Sequence, residues 1–373
     1  MKVLSVFGTR PEAVKMAPVI RELAQIPDIE SRVCVTAQHR QMLDQVLGLF
    51  DIKPDYDLDL MREDQSLAEL SAAIFTHLDP ILSDFKPDWV LVQGDTTTVA
   101  ITALLAYYRR IRVGHVEAGL RTNDKWQPFP EEINRRVAGV IADLHFAPTE
   151  WTKQNLLREG ISEKAIAVTG NPVIDALQFA AQQPESKEVT KLIRELAIGN
   201  LESGRKLILV TAHRRENFGQ PLEDICNALK ELASRGDVEI VYPVHLNPNV
   251  QGLVYRILKN VNHITLLPPL DYLPLVGLMK RSTLILTDSG GIQEEAPALG
   301  IPVLVLREVT ERPEGVEAGT LKLVGTATQR IVEEARRLLE DESAYRAMEK
   351  AANPFGDGHA AQNIVRALLN YQQ

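Results

Sequence analysis

Short runs of apolar, β-forming residues recur along this chain, and each is followed by apolar positions returning at helical spacing. In the first half the runs lie at 3–7, 32–36, 89–93, 112–116 and 166–169; in the second they lie at 207–211, 238–244, 264–267, 284–287 and 303–306. Within each run hydrophobicity is continuous rather than alternating. That marks strands covered on both faces, hence parallel sheets wrapped by helices. The stretch after the first run illustrates the helical pattern: Ala13, Ala17, Ile20 and Ala24 share one face, while Lys15 and Arg21 point elsewhere.

The pattern predicts an α/β chain with two sheets. At 373 residues the chain exceeds the size at which one core keeps growing, so two domains are expected, 1–172 and 173–354. The break follows Asn171-Pro172-Val173 and leads into the polar segment Gln182-Gln183-Pro184-Glu185-Ser186-Lys187, then residues 199–205 before the next strand. A turn cluster, Asn353-Pro354-Phe355-Gly356-Asp357-Gly358, precedes a last predicted helix at 359–370. Two parallel sheets joined in this way are expected to leave a cleft at the carboxyl ends of their strands.

Composition narrows the function. Hydrophobic content of 45% and charged content of 24% are ordinary globular values, while a net charge of −9 argues against nucleic-acid or anionic-membrane binding. An anionic ligand must then be held by a local basic cluster. The two cysteines, Cys34 and Cys226, sit in apolar elements and are expected to be reduced and buried. Met1-Lys2 leads straight into a strand with no signal-peptide layout, and the longest apolar stretch, near 99–108, is too short for a bilayer. A cytoplasmic protein is expected.

The chemistry-bearing residues collect at strand ends, where open α/β sheets bind ligands. The strand at 284–287 feeds into Asp288-Ser289-Gly290-Gly291-Ile292-Gln293-Glu294-Glu295, a small turn opening a helix. Unpaired N–H groups and the positive helix end suit a phosphate there, although an ordinary tightly packed βα turn reads the same way. Glu295 lies six residues past Ser289, roughly 9 Å along a helix, about the reach from a nucleotide's diphosphate to its ribose diol. Gly8-Thr9-Arg10-Pro11-Glu12 follows the first strand, with Lys15 a turn later. Arg10 at a helix N-terminus either meets an anion or pairs with Glu12. Asp95, in Gly94-Asp95-Thr96, either caps a helix or faces a ligand.

Glu117 follows the strand at 112–116, with His115 before it, and Glu131 opens a helix that carries Arg135. Three acids, Asp95, Glu117 and Glu131, could converge from separate loops to give proton donors and acceptors. In the second half His213 stands at a strand end where it can face a phosphate, and Arg312 lies in a charged loop after a strand; His245 reads as a packing or turn residue. Metal-ligand spacing and a nucleophile elbow are both absent, so neither a metal nor another cofactor is expected.

Taken together, Gly8-Thr9-Arg10-Pro11-Glu12, Gly94-Asp95-Thr96-Thr97-Thr98, Gly114-His115-Val116-Glu117-Ala118-Gly119-Leu120-Arg121, Pro130-Glu131-Glu132, Thr211-Ala212-His213-Arg214-Arg215-Glu216, Asp288 to Pro297 and Thr310 to Gly315 resemble the non-hydrolysing UDP-N-acetylglucosamine 2-epimerases of bacteria. The resemblance implies a GT-B type fold of two Rossmann-like domains, the segment 355–373 returning to the first, and a homodimer. It implies Arg10, His213 and Ser289-Gly290-Gly291 at the diphosphate, Glu295 at the ribose, and Lys15, Arg135 and Arg312 as further contacts. Leu270 and Leu275 stand where relatives carry Gln and Phe near the uracil. Asp95, Glu117 and Glu131 would be the acid–base carboxylates, with His213 beside them. Some members bind a second substrate molecule as activator near a segment like Gln38-His39-Arg40-Gln41; Asp64 holds the position of the associated arginine, with Arg62 nearby. The implied reaction is reversible conversion of UDP-GlcNAc into UDP-ManNAc through loss and re-addition of UDP, feeding polysaccharide synthesis. A hydrolysing epimerase, a GT-B glycosyltransferase and a non-catalytic nucleotide-sugar-binding regulator are the rival readings.

Overall fold

The computed structural model describes residues 1–36, 40–62, 64–184, 190 and 204–371. Gln38-His39, the side chains of Arg40 and Gln41, and most of the polar segment from Glu185 onward lie outside the described residues. The chain divides into two compact units: Met1–Ala176 with Phe355–Gln373, and Leu177–Pro354.

The first unit is a seven-stranded sheet in the order β3-β2-β1-β4-β5-β6-β7. Its strands are β1 (Lys2–Phe7), β2 (Glu30–Val35), β3 (Tyr56–Asp57), β4 (Trp89–Gln93), β5 (Arg112–Val116), β6 (Leu144–Ala147) and β7 (Ile166–Val168). Every pairing is parallel. All five residues of β4 are buried, as the continuous apolar runs require. The runs did not reveal β3, β6 or β13 (Leu321–Leu323): the first is two residues long, His145 interrupts the second, and Lys322 the third.

Helices α1 (Arg10–Ala24), α2 (Arg40–Leu49), α3 (Leu67–Phe85), α4 (Thr97–Tyr108), α5 (Glu131–Ile141), α6 (Glu150–Arg158) and α7 (Pro172–Gln182) connect these strands. Helix α1 is capped by Thr9, with Glu12 reaching back in a capping box. Its buried set departs from the sequence pattern. Ala13, Ala17 and Ile20 are buried, but Leu23 replaces the exposed Ala24, and Lys15 is buried too.

The second unit holds six parallel strands in the order β10-β9-β8-β11-β12-β13. They are β8 (Lys206–Thr211), β9 (Val238–Pro243), β10 (Ile264–Leu267), β11 (Leu284–Thr287), β12 (Val303–Val305) and β13. Its helices are α8 (Gln220–Ala233), α9 (Pro248–Leu258), α10 (Tyr272–Arg281), α11 (Gly290–Ala298), α12 (Pro313–Glu317), α13 (Thr328–Glu340) and α14 (Glu342–Glu349). In each sheet the order reverses beside a first strand, at β1/β4 and at β8/β11, which are the switch points where ligands bind in such sheets.

The last helix, α15 (Ala360–Leu369), belongs to the first unit. Asp175 of α7 accepts from the backbone N–H groups of Ala360 and Ala361 at 3.2 and 2.9 Å, supplying the cap that His359 does not. Beyond it Tyr371 meets Trp89 edge-on, with ring centroids 5.0 Å apart.

One glycine fixes the turn that leaves β5. Gly119 has φ +92°, and a Cβ there would stand 2.3 Å from the Thr152 carbonyl oxygen. Gly119→Ala is therefore expected to destabilise the chain by about 2 kcal/mol or more, from strain plus overlap, read as a lowered urea midpoint.

Candidate active site

In the first unit the predicted residues gather where β1, β4 and β5 end. Glu117 directly follows β5, is buried, and has the left-handed φ of +62°, a conformation that costs a non-glycine residue about 1–3 kcal/mol. Its carboxylate is enclosed by donors: Lys15 Nζ and Asn171 Nδ2 to Oε1, the latter at 2.9 Å, and Gln93 Nε2 to Oε2. Lys15 thus lies against Glu117, not out on the helix surface. Gly94 beside it has φ +81°, the left-handed region that favours glycine.

Asp95 forms an ion pair with Arg135 on α5. The capping alternative for Asp95 does not apply, because Thr96 caps α4, its hydroxyl accepting from Val99 N. Glu131 is half-buried at the first position of α5, four residues before Arg135 on the same face. Its neighbour Glu132 is fully buried and holds the preceding loop, accepting from Thr122 N at 3.0 Å, Asn123 N at 3.2 Å and Arg135 Nη1 at 3.3 Å.

Arg10 begins α1. Two residues on, Glu12 Oε2 accepts from Gly8 N and Thr9 N at 3.0 and 2.7 Å, and Oε1 from the Thr96 hydroxyl at 2.6 Å. Burial raises the Glu12 carboxyl, with those hydrogen bonds opposing the shift. Glu12 thereby joins the loop carrying Arg10 to the loop carrying Asp95 across the switch point.

Beneath them His115 Nε2 donates to the Gly94 carbonyl at 2.7 Å. Burial pushes its imidazole down to about 4, so the ring is neutral and its proton sits on Nε2. His145, its register partner on β6, is pushed down to about 3, again chiefly by burial.

In the second unit the predicted residues gather at β8/β11. Asp288 is fully buried after β11, and its Oδ2 accepts from the backbone N–H groups of His213 and Arg214, each at 2.8 Å, and from Asn217 Nδ2 at 3.0 Å. Its Oδ1 lies 3.6 Å from His213 Nδ1. His213 stacks on His245, with centroids 5.2 Å apart and planes 12° from parallel. Ser289 precedes α11 without a side-chain cap, and Gly290 and Gly291 open that helix.

Arg312 packs on Gly290, where a Cβ would stand 2.8 Å from its Nη1, so any larger residue there would displace the guanidinium. Arg312 also pairs with Glu294 and lies 3.6 Å from Glu311. Glu295, further along α11, accepts from the Tyr272 hydroxyl at 2.8 Å, and burial keeps that phenol protonated. Leu270 and Leu275 flank Tyr272 in sequence, and both are half-buried.

Among the described residues no group of three or more His, Cys, Asp or Glu could hold a metal ion, and no helix is long and apolar enough to cross a membrane. Residues 21–369 match the family model described as UDP-N-acetylglucosamine 2-epimerase. The chain belongs to this family of isomerases.

A UDP-N-acetylglucosamine 2-epimerase of Escherichia coli K12 is 58% identical, covering 99% of each chain. The crystal structure of UDP-GlcNAc 2-epimerase from Neisseria meningitidis bound to UDP-GlcNAc aligns with a TM-score of 0.94 at 51% identity over 100% of both chains. An S. aureus MnaA–UDP co-structure aligns at 0.89 with 47% identity, over 98% of this chain and 95% of that one. The two-sheet α/β architecture is thus the GT-B type of these epimerases.

The sequence pattern did not identify Gln93, Asn171, Glu12, Asp288 or Tyr272 as parts of the site. Gln93 carried a signal, a polar residue closing an otherwise apolar buried strand. Asn171 read as part of a domain break.

The charged cluster beside α11 makes acid stability testable. Burial alone would raise Glu311, yet Arg312 and Arg307, whose Nη1 donates at 2.9 Å, together outweigh it and hold the carboxyl at about 2. A folded group below its ordinary 4.5 adds stability that is present above 4.5 and lost as pH falls through about 2. That contribution is about 3 kcal/mol by linkage. The stability lost by Glu311→Gln in urea at pH 7 is expected to shrink as pH drops from 4.5 toward 2.

Proposed function

We propose that this chain interconverts UDP-GlcNAc and UDP-ManNAc without hydrolysis, inverting carbon 2 by elimination of UDP and re-addition. The observation that carries the reading is similarity along the whole chain to named 2-epimerases, including one bound to UDP-GlcNAc. The product would supply ManNAc units for cell-surface polysaccharide, and the protein would work in the cytoplasm on UDP-linked sugars, not on nucleic acid or membranes.

The carbon 2 proton of the sugar is not next to a carbonyl, so a carboxylate cannot remove it to give an enolate. Breaking the bond between carbon 1 and the diphosphate oxygen changes this, because UDP leaves with the electron pair and carbon 1 becomes electron-poor. A carboxylate then takes the carbon 2 proton, and the C–H electrons form the double bond of a glycal. A proton delivered to the opposite face of carbon 2, with re-addition of UDP at carbon 1, completes the inversion.

The leaving diphosphate needs positive charge that is already in place. His213, the Ser289-Gly290-Gly291 turn at the start of α11, Arg312 and Arg10 are suited to that role. Asp288 supports it by fixing the backbone of His213 and Arg214. Glu295, held by Tyr272, suits the ribose diol, and Leu270 and Leu275 suit an apolar seat for the base. Proton transfer on two faces falls to Asp95, Glu117 and Glu131. Glu117 suits the carboxylate form because Lys15 stands beside it. Arg135 pairs with Asp95 and holds its carboxylate in place.

A homodimer completes the reading, supported by the large apolar side chains exposed on neighbouring α4 and α5: Tyr107 and Tyr108 at 63% and Val140 at 83%. Sedimentation at micromolar concentration is expected to give twice the chain mass, and Val140→Glu to lower it.

The deciding experiment is incubation with UDP-GlcNAc in heavy water followed by proton NMR. Loss of the carbon 2 proton signal with appearance of UDP-ManNAc is expected; free UDP in step with sugar release would mean hydrolysis instead. Glu117→Gln should slow turnover by about 10²-fold or more, the scale of losing an acid–base group. Normal turnover in that variant would remove Glu117 from the chemistry.

A further inference from the structure

Glu117 is held from three directions, and two of the holds, from Gln93 and Asn171, come from residues to which the reaction assigns no role. Besides Lys15 from α1 and Gln93 from β4, Asn171 donates through Nδ2 to Oε1 at 2.9 Å. Asn171 is fully buried. Its own Oδ1 accepts from Val173 N at 3.2 Å, in the first turn of α7, so the amide is oriented with its Nδ2 end toward Glu117.

The backbone of Asn171 is fixed in turn by the C-terminal segment. Its N–H donates to the Phe355 carbonyl at 2.7 Å. Gly170 and Gly356 pass closely beside this bond, with φ of +83° and +129°, and a Cβ on Gly356 would stand 3.3 Å from Gly170 Cα. The turn that brings the chain back to α15 therefore bears directly on the residue that grips Glu117.

We propose that Asn171 is a positioning residue for the carbon 2 proton transfer, and that the Phe355-Gly356 turn sets its reach by holding its backbone. The proposal rests on the reading of Glu117 as a proton-handling group. A glutamate side chain has three rotatable bonds, so its oxygens stay in one place only where fixed donors hold them. A misplacement of about 1 Å at a reacting group can cost about 10²-fold in rate. Charged and titratable groups near Glu117 include Lys15 on α1 and the buried His115, which Asp95 and Arg121 also reach electrostatically. Asn171 adds a donor without adding charge.

The test uses the full chain and UDP-GlcNAc, measuring kcat, KM and carbon 2 deuterium exchange across pH for Asn171→Ala, Asn171→Asp, Gly356→Ala and Glu117→Gln. Asn171→Ala is expected to lower kcat about tenfold, the scale of one hydrogen bond to a charged group, with KM within about threefold. It should also move the acid limb of the kcat profile upward, because the carboxylate loses a donor to its charged form. Asn171→Asp sets a second negative charge beside Oε1 and should move that limb further.

Gly356→Ala should shift the same parameters in the same direction, and combined with Asn171→Ala should add little, since both act through one contact. An unchanged kcat and acid limb in Asn171→Ala, with Glu117→Gln inactive, would overturn the proposal. So would full additivity of the two substitutions. Should Asn171→Ala fail to fold, Gly356→Ala decides alone: a moved acid limb supports the proposal and an unmoved one overturns it. Full turnover in Glu117→Gln would instead strike the reading of Glu117 itself, which keeps the two failures apart.

Discussion

A carboxylate taken out of water keeps its charge only where a cation and hydrogen-bond donors stand in for the solvent. Glu117 meets that condition through Lys15, Gln93 and Asn171, and much of the first unit is arranged to supply them. Helix α1 buries a lysine in its second turn, β4 ends in glutamine where an apolar residue would pack as well, and position 94 is glycine beside Oε2. The left-handed backbone of Glu117 turns the carboxylate back toward these groups. Remove any one of them and the charge loses part of what replaced its water.

The second unit meets the converse need. The helix that follows Ser289 opens with Gly290-Gly291, whose end carries the positive pole of the helix dipole, and Arg312 sets its cation across Gly290. A guanidinium at the positive end of a helix is unfavourable alone, and Glu294 and Glu311 offset it. Asp288, buried beneath, accepts through Oδ2 from the N–H groups of His213 and Arg214 and so shapes the loop that carries the histidine. One unit thus stabilises negative carboxylates at its strand ends, and the other gathers the donors and cations that an anion would meet.

The two parallel sheets were legible because strands buried on both faces leave unbroken apolar runs, and the strand-end positions of the polar residues followed from those runs. What escaped was decided by contacts distant in sequence. Lys15 stands off the apolar face by helical periodicity and was expected among the ligand contacts, yet it is buried against a partner 102 positions away that the periodicity did not reveal. Asn171 read as punctuation between domains, because nothing local distinguishes an amide that turns a helix from one that also reaches a carboxylate. Glu12 stood out in the sequence only as a partner for Arg10, and nothing local told of its bond from Thr96, 84 positions away. Periodicity reports which face is apolar; it does not report what a buried polar residue touches.

Compared with apolar residues of the same size, a buried ion pair gains little, because desolvation offsets much of the attraction, whereas removing one partner leaves an uncompensated charge. Fold economy alone would favour apolar residues at Lys15 and Glu117, at Arg312 and Glu294, and at Arg307 and Glu311. Their presence at the ends of strands, beside both switch points, makes sense where opposite charges must be held ready before a leaving group departs. Donors already fixed in place need no reorganisation when charge develops, and the stability forgone in keeping them buried is recovered as a lower barrier. The same argument explains why the C-terminal segment returns to the first unit at Gly170 and Asn171: a rigid backbone contact there keeps a donor aimed at Glu117, which a surface docking of α15 would not do.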